Sequence, residues 1–361
     1  MMIGIVGGGQ LARMMALAGY PLGLRFLVLD PAPDACAGQV ATLIQGDYDD
    51  PDKLAQLSNR CDLVTFDFEN VPGTAARLLA ESVSVFPPPA ALETAQDRLA
   101  EKTLFQALRI PTPPFAPVDR REQLIDAVDR IGLPAVLKTR RLGYDGKGQQ
   151  VLKTREDIDA VWQSLKSVPL ILEGFVPFQR EVAMLAARSR TGATAFYPLV
   201  ENRHQDGILR LSLTPCDAGE LTAQARDYAD RVLTRFDYVG LLAIEFFVLA
   251  GRLLANEMAP RVHNSGHWTI EGAETSQFEN HLRAILGWPL GAAANRGCSA
   301  MVNFIGELPD PMAVLQIPGA HFHAYGKAPR PGRKVGHATL RAEDLETLQA
   351  KLTRLPPLAK Y

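Results

Sequence analysis

Two glutamates occupy positions where an ionised side chain is costly to bury. Glu245 interrupts the apolar run Leu242-Ala243-Ile244-Glu245-Phe246-Phe247-Val248, and Glu257 closes Leu253-Leu254-Ala255-Asn256-Glu257. A carboxylate in such a strand needs a cation or a basic partner. The runs flank Ala250-Gly251-Arg252 and read as a hairpin. A three-residue loop pairs 249 with 253 and places Glu245 opposite Glu257 on one face; a two-residue turn at Ala250-Gly251 sends them to opposite faces. The three-residue loop is expected. Facing carboxylates repel unless a cation lies between them, and these oxygens, with Asn256 beside them, suit magnesium carrying ATP phosphates. The competing reading is one buried carboxylate paired with an arginine.

Directly downstream, Arg261, His263 and Asn264 form a compact set able to hold an oxyanion beside a γ-phosphate. His263 and His267 stand at i, i+4 like a zinc pair. No HExxH surrounds them, and the Pro- and Gly-rich segment is a poor helix, so zinc is rejected and His267 reads as structural. Upstream, Lys138 ends an apolar strand before Gly143-Tyr144-Asp145-Gly146-Lys147-Gly148-Gln149, a flexible, donor-rich cover for phosphates that lacks Walker spacing. Glu173-Gly174-Phe175-Val176 follows another apolar strand and offers backbone groups to an adenine edge, with Glu181 placed for ribose hydroxyls. Gly7-Gly8-Gly9-Gln10-Leu11-Ala12, with Asp30 about twenty residues on, matches the dinucleotide fingerprint. Alone it supports the fold more than the cofactor, because glycine N–H groups at a helix start receive any anion.

The elements that must position these groups fall into three regions. Short strands (Met2–Val6, Arg25–Leu29, Leu63–Phe66) alternate with helices up to Phe86-Pro87-Pro88-Pro89, which predicts a parallel sheet in residues 1–90. Helical spacing runs from Leu92 to Leu108, and strand-like Ala135–Lys138 and Leu170–Glu173 bracket the second glycine loop. Residues 91–297 form the second expected domain, with a lid over about 112–190, and 298–361 a small β-rich third. Composition agrees with a multidomain globule: 361 residues, 47% hydrophobic, 22% charged and a net charge of −2. No polybasic block points to nucleic acid or an anionic membrane. Four dispersed cysteines and a start without a signal-peptide pattern predict a reducing, cytoplasmic setting.

The motifs GGGQLARM, FENVP (Phe68–Pro72), GYDGKGQ, HQDGIL (His204–Leu209), NEMAPRVHNSGHWT (Asn256–Thr269) and RPGRKVGH (Arg330–His337) together resemble the N5-carboxyaminoimidazole ribonucleotide synthetase family of the ATP-grasp superfamily. The resemblance spans nearly the whole chain, and the last two motifs are its most specific part. It implies an α/β architecture: a Rossmann-like pre-ATP-grasp domain, an ATP-grasp fold and a small C-terminal β-rich domain. The implied reaction is ATP-dependent carboxylation of 5-aminoimidazole ribonucleotide with bicarbonate, through carboxyphosphate, in de novo purine biosynthesis. Carried over by position, ATP would meet Arg98, Lys138, Gly143–Gln149, Glu173–Val176, Glu181, His204, Asn256 and Glu257, with magnesium, or manganese, on Glu245 and Glu257. Bicarbonate would meet Arg261, His263, Asn264 and Lys334, the aminoimidazole Tyr144 and Asp145, and the ribonucleotide Gln10, Glu69, Lys327, Arg333 and Lys334. A homodimer acting on small molecules is implied. Asp67 stands where relatives commonly carry Glu. A glycinamide ribonucleotide transformylase shares most of these parts but takes formate; a nicotinamide dehydrogenase leaves Glu245, Glu257 and the second glycine loop without work; a nucleotide sensor abandons the anion set.

Overall fold

The computed structural model describes residues 1–143, 146–216 and 218–356. The first strands, β1 (Met2–Val6), β2 (Arg25–Asp30), β3 (Thr42–Gln45), β4 (Leu63–Phe66) and β5 (Ser84–Val85), form a parallel sheet in the order β3-β2-β1-β4-β5. Their apolar runs do not alternate because both faces are covered. Ile3, Ile5 and Val28 pack under helix α1 (Gln10–Gly19), while Val6, Leu27, Leu29 and Val64 meet α2 (Pro51–Ser58) and α3 (Gly73–Ala80). The periodicity from Leu92 to Leu108 is split between α4 (Pro89–Ala95) and α5 (Arg98–Ala107). Asp97 makes the break: its carboxylate caps α5 through the Leu99 N–H at 3.0 Å and pairs with Arg140 at 2.5 Å.

Next comes a small antiparallel sheet of β6 (Phe115–Val118), β7 (Ala135–Thr139), β8 (Gln149–Leu152) and β9 (Leu170–Gly174), ordered β6-β9-β7-β8 and backed by α6 (Arg121–Ile131) and α7 (Asp157–Leu165). The second glycine loop joins β7 to β8. The remaining strands are β10 (Arg180–Arg188), β11 (Thr194–Phe196), β12 (Val200–Gln205), β13 (Ile208–Thr214), β14 (Gly240–Leu249), β15 (Arg252–Ala259), β16 (Cys298–Ile305), β17 (Ala320–Ala324) and β18 (Lys334–Ala342). They make one nine-stranded sheet, β15-β14-β10-β12-β13-β16-β18-β17, with β11 beside β10. The β13–β16 pairing carries this sheet without interruption past residue 298.

Helix α8 (Leu221–Arg235) covers one face of the large sheet. Beyond the short α9 (Thr269–Gly272), α10 (Gln277–Leu286) lies between the other face and α1. On α10 the fully buried His281 accepts the Leu241 N–H at Nδ1 (3.1 Å) and bonds Thr65 Oγ1 through Nε2 (2.8 Å), joining the first sheet to the large one. All four cysteines are free. Among the described residues no helix is long and apolar enough to cross a membrane.

The β14–β15 connection corrects the expected three-residue loop. Leu249 pairs with Arg252 across a two-residue turn, with Ala250 at φ 49° and Gly251 at φ 73°, the left-handed pair that matches strand twist in a tight hairpin. That turn alone would set Glu245 opposite residue 256. A β-bulge intervenes: Phe246 pairs with Ala255, yet Glu245 pairs with Glu257, leaving Asn256 as the extra residue. The acids face one another because of the bulge, not the loop.

Candidate active site

A cavity of about 640 Å³ opens where the three sheets converge. The first sheet contributes Gly9, Gln10 and Asp67 to Asn70 from its strand ends; the small sheet contributes Lys138 and Glu173 to Val176; the large sheet contributes Glu181, His204, Glu245 and Asn256 to Ala259. Arg98, Gly143, Gly146, Gln149, Arg261, His263, Asn264, Lys327 and Lys334 also line it. Lys147, Gly148 and Arg333 do not; the Arg333 guanidinium donates to the Ala328 carbonyl at 3.2 Å. Tyr144 and Asp145 lie outside the described residues.

On the small-sheet side, three cations converge on one acid. Lys138 Nζ is 3.0 Å and Lys102 Nζ 3.4 Å from Glu173 Oε2. Burial opposes ionisation of Glu173, but Lys102, Lys138 and Arg98 outweigh it and hold the carboxyl down to about 2. The pair is not symmetric: burial, with Arg98 and Lys102 nearby, pushes Lys138 below its ordinary value despite Glu173. A cluster with surplus positive charge is suited to phosphate. Glu181 pairs directly with His204 Nδ1 across the adjacent strands. Burial disfavours the imidazolium, yet the Glu181 hydrogen bond and the field of Glu245 raise the His204 pKa.

Glu245 is raised to about 7 by burial and by its like-charged neighbours Glu257 and Glu181, against the pull of His204. Glu257 moves the other way: burial is overcome by Arg98, whose Nη1 lies 3.1 Å from Oε2, and by Lys138. Asn256 Oδ1 is buried without a hydrogen-bond partner. Two carboxylates plus an unsatisfied amide oxygen form a hard-oxygen set that fits a magnesium-sized cation completed by phosphate oxygens. Among the described residues no group of three or more His, Cys, Asp or Glu converges on a cation position.

The opposite wall is an anion pocket. Arg261 is 9% exposed; its guanidinium pairs with Glu69 and donates to the Val262 carbonyl at 3.0 Å. His263 is fixed on both edges of its backbone by Gln277, which accepts its N–H at 2.9 Å and donates to its carbonyl at 2.6 Å. Its Nδ1 bonds Ser265 Oγ at 2.8 Å. Burial, reinforced by Arg261 and Lys334, drives the His263 pKa well below the ordinary value and keeps the ring neutral. Asn264 and Asn303 exchange amide bonds at 2.7 and 3.1 Å. Lys327 donates to Gln10 Oε1 at the cavity edge, and Lys334 opens β18. His267 is fully buried and does not line the cavity.

The first glycine loop has its donors filled from within. Gly8 N–H donates to Asp30 Oδ2 at 2.7 Å and Gly9 N–H to Asp67, a buried acid whose pKa is raised chiefly by desolvation. The acid that a dinucleotide ribose would need is thus spent on the loop itself. Sequence reasoning missed Glu101 and Lys102, both buried on α5. With Arg98 they follow i, i+3, i+4, a spacing that puts three charges on one helix face and would have flagged it.

Comparison with known proteins agrees with this architecture. The family profile of the ribonucleotide synthetase preATP-grasp domain matches residues 1–96, that of the ATP-grasp domain residues 103–278, and that of the phosphoribosylaminoimidazole carboxylase C-terminal domain residues 299–351. The N5-carboxyaminoimidazole ribonucleotide synthase of Pseudomonas aeruginosa is 56% identical over 358 residues, covering 99% of each chain, and that of Brucella melitensis is 48% identical, covering 93% of this chain and 95% of the relative. The Thermus thermophilus synthetase structure superposes with a TM-score of 0.95 at 59% identity, covering 98% of this chain and 97% of the other. An Aspergillus clavatus synthase solved with ADP and 5-aminoimidazole ribonucleotide gives 0.89 at 31% identity, covering 99% and 97%. The chain is a three-part ATP-grasp protein and belongs to the N5-carboxyaminoimidazole ribonucleotide synthase family.

Proposed function

We infer that the chain converts 5-aminoimidazole ribonucleotide to N5-carboxyaminoimidazole ribonucleotide at the expense of ATP, in purine biosynthesis, with bicarbonate as the carbon source. The observation that carries this reading is one cavity with a cationic, phosphate-suited wall around Lys138 facing an anion pocket of Arg261, His263, Asn264 and Lys334. Bicarbonate is a poor electrophile. In the first step its oxygen attacks the γ-phosphorus, an O–P bond forms, and ADP leaves with the electrons of the broken bond. The amine nitrogen then attacks the carbon of carboxyphosphate, or of the CO2 it releases, and the C–O bond to phosphate breaks. One amine proton is lost.

Adenine would rest at Glu173–Val176 with ribose at Glu181, while Arg98, Lys138 and the Gly143–Gln149 loop, Lys147 and Gly148 included, cover the phosphates. Positioning and charge neutralisation are what a loose phosphoryl-transfer transition state requires. Arg261 and Lys334 supply positive charge where bicarbonate reacts, Asn264 a directed amide, and neutral His263, whose Nδ1 accepts from the Ser265 N–H, an uncharged N–H donor at its other ring nitrogen. Glu245 and Glu257, with Asn256, would hold magnesium or manganese, which when bound supplies charge neutralisation to the phosphates. Tyr144 and Asp145 would serve the aminoimidazole, and Gln10, Glu69, Lys327 and Arg333 the ribonucleotide. By the same resemblance we read the protein as a cytoplasmic homodimer, which sedimentation tests. The activity is tested by phosphate release: ADP and phosphate are expected only with 5-aminoimidazole ribonucleotide and bicarbonate together. Equal release with glycinamide ribonucleotide and formate would overturn it.

A further inference from the structure

Helix α5 approaches the acid pair from behind and grips the bulged segment of β15 at three points. Arg98 reaches the Glu257 carboxylate at 3.1 Å, and Glu101 Oε1 accepts the Met258 N–H at 2.6 Å. Lys102 Nζ donates to the Asn256 carbonyl at 2.7 Å and the Ala255 carbonyl at 3.3 Å, with Glu173 Oε2 at 3.4 Å. Its side chain is fully buried. An ammonium has three donors, and here three acceptors surround it.

We propose that Lys102 is a positioning residue that locks the β-bulge at Asn256 and thereby sets Glu257 beside Glu245. This rests on reading those two acids as cation ligands. A two-residue turn followed by regular pairing would put residue 256 opposite Glu245 and turn Glu257 to the other face. The extra residue is what returns it, and a bulge leaves that residue without a ladder partner. Lys102 bonds the carbonyl of this extra residue, Asn256, and that of Ala255 before it. A buried ammonium is an unfavourable way to fasten a strand unless its charge is compensated, and Glu173 compensates it. Glu173 also pairs with Lys138, so a single ammonium links the bulge to the phosphate-facing lysine.

The test uses Lys102→Met and Glu257→Gln in the full-length protein. After the first substitution Glu173 keeps Lys138 at 3.0 Å and Glu101 keeps the Met258 N–H at 2.6 Å, so both acids retain a partner and the fold should hold. Two readouts are needed: Mn2+ binding to the protein–ADP complex by electron paramagnetic resonance, and the Mg2+ concentration for half-maximal turnover. Lys102→Met should weaken Mn2+ binding and raise the Mg2+ requirement at least ten-fold while the KM for the amine substrate stays within two-fold. A merely structural lysine would lower the melting temperature and leave the cation dependence in place; that result overturns the proposal. Should Lys102→Met yield no folded protein, Lys102→Arg takes its place, because a planar guanidinium cannot serve three acceptors arranged around one nitrogen; an unchanged Mn2+ affinity there is equally fatal. If Glu257→Gln leaves Mn2+ binding intact, the cation reading itself fails and this proposal with it. If Glu257→Gln weakens binding and Lys102→Met does not, only the positioning role is lost.

Discussion

Replacing Glu257 by Gln separates a functional acid from a structural one, because the two readings predict opposite outcomes. The substitution keeps size and hydrogen-bonding capacity and removes one charge. Were the Arg98–Glu257 pair buried and closed, stranding Arg98 would destabilise the fold by roughly 3–5 kcal/mol. The geometry says otherwise. Glu257 is 42% exposed toward the cavity, Arg98 is 17% exposed, and Arg98 keeps the fields of Glu173 and Glu101 after the change. A pair this open is worth about 1 kcal/mol at most, or a melting shift of roughly 3 °C. Losing one charge from the set facing the phosphates should instead reduce turnover by about 100-fold or more, near 3 kcal/mol in the barrier. Phosphate release at saturating substrates, normalised to folded protein and run beside Glu245→Gln, measures the rate; calorimetry measures the stability. Turnover within three-fold of the parent in either variant removes that residue from the proposed cation site. A melting loss above about 10 °C with turnover retained would show that the pair holds the fold instead.

Two further outcomes follow. His281 titrates at about 6.5 when unfolded and, through burial, at about 4 when folded, so the unfolded chain binds more protons between these values. Stability is therefore full above pH 6.5 and falls as pH drops toward 4, by roughly 2 kcal/mol between pH 7 and 5; denaturant midpoints should show this slope reduced in His281→Gln, and identical slopes in the two proteins would contradict it. Gly146 holds φ at 74°, and a Cβ there would lie 3.2 Å from the Asp206 carbonyl oxygen. Gly146→Ala should therefore add about 1 kcal/mol of strain to the loop and raise the KM for ATP about five-fold, and an unchanged KM for ATP would contradict it.

The cavity lining was legible where it gathers contiguous residues, as in Asn256 to Asn264, because a charged or polar cluster next to an apolar strand announces itself. Geometry was harder to read. Glu245 does face Glu257, but a two-residue turn and a bulge at Asn256 replace the single loop inferred from spacing, and nothing in Asn256 marks it as extra. The break at Asp97 hid inside an unbroken helical periodicity: its cap on Leu99 is a local signal that the apolar spacing overrode, and its pairing with Arg140, forty-three residues away, leaves no local trace. Lys102 escaped because a lysine reads as solvent-facing until the acceptors around it are known. The β13–β16 pairing is long-range and leaves no local trace, so residue 298 looks like a seam in the sequence although the sheet runs through it.

That unbroken sheet has a mechanical meaning. Hydrogen bonds run from β15, which carries Glu257, through β14 and its Glu245, to β18, which begins at Lys334. A hinge at residue 298 would have to tear four ladder pairs between β13 and β16. The acid pair and Lys334 therefore ride on one stiff plate. Lys138 and Glu173 belong to the separate four-stranded sheet, which among the described residues shares no ladder with that plate. The spacing between the acid pair and Lys334 is thus set by the ladder from β15 to β18 and not by the loops that join these strands.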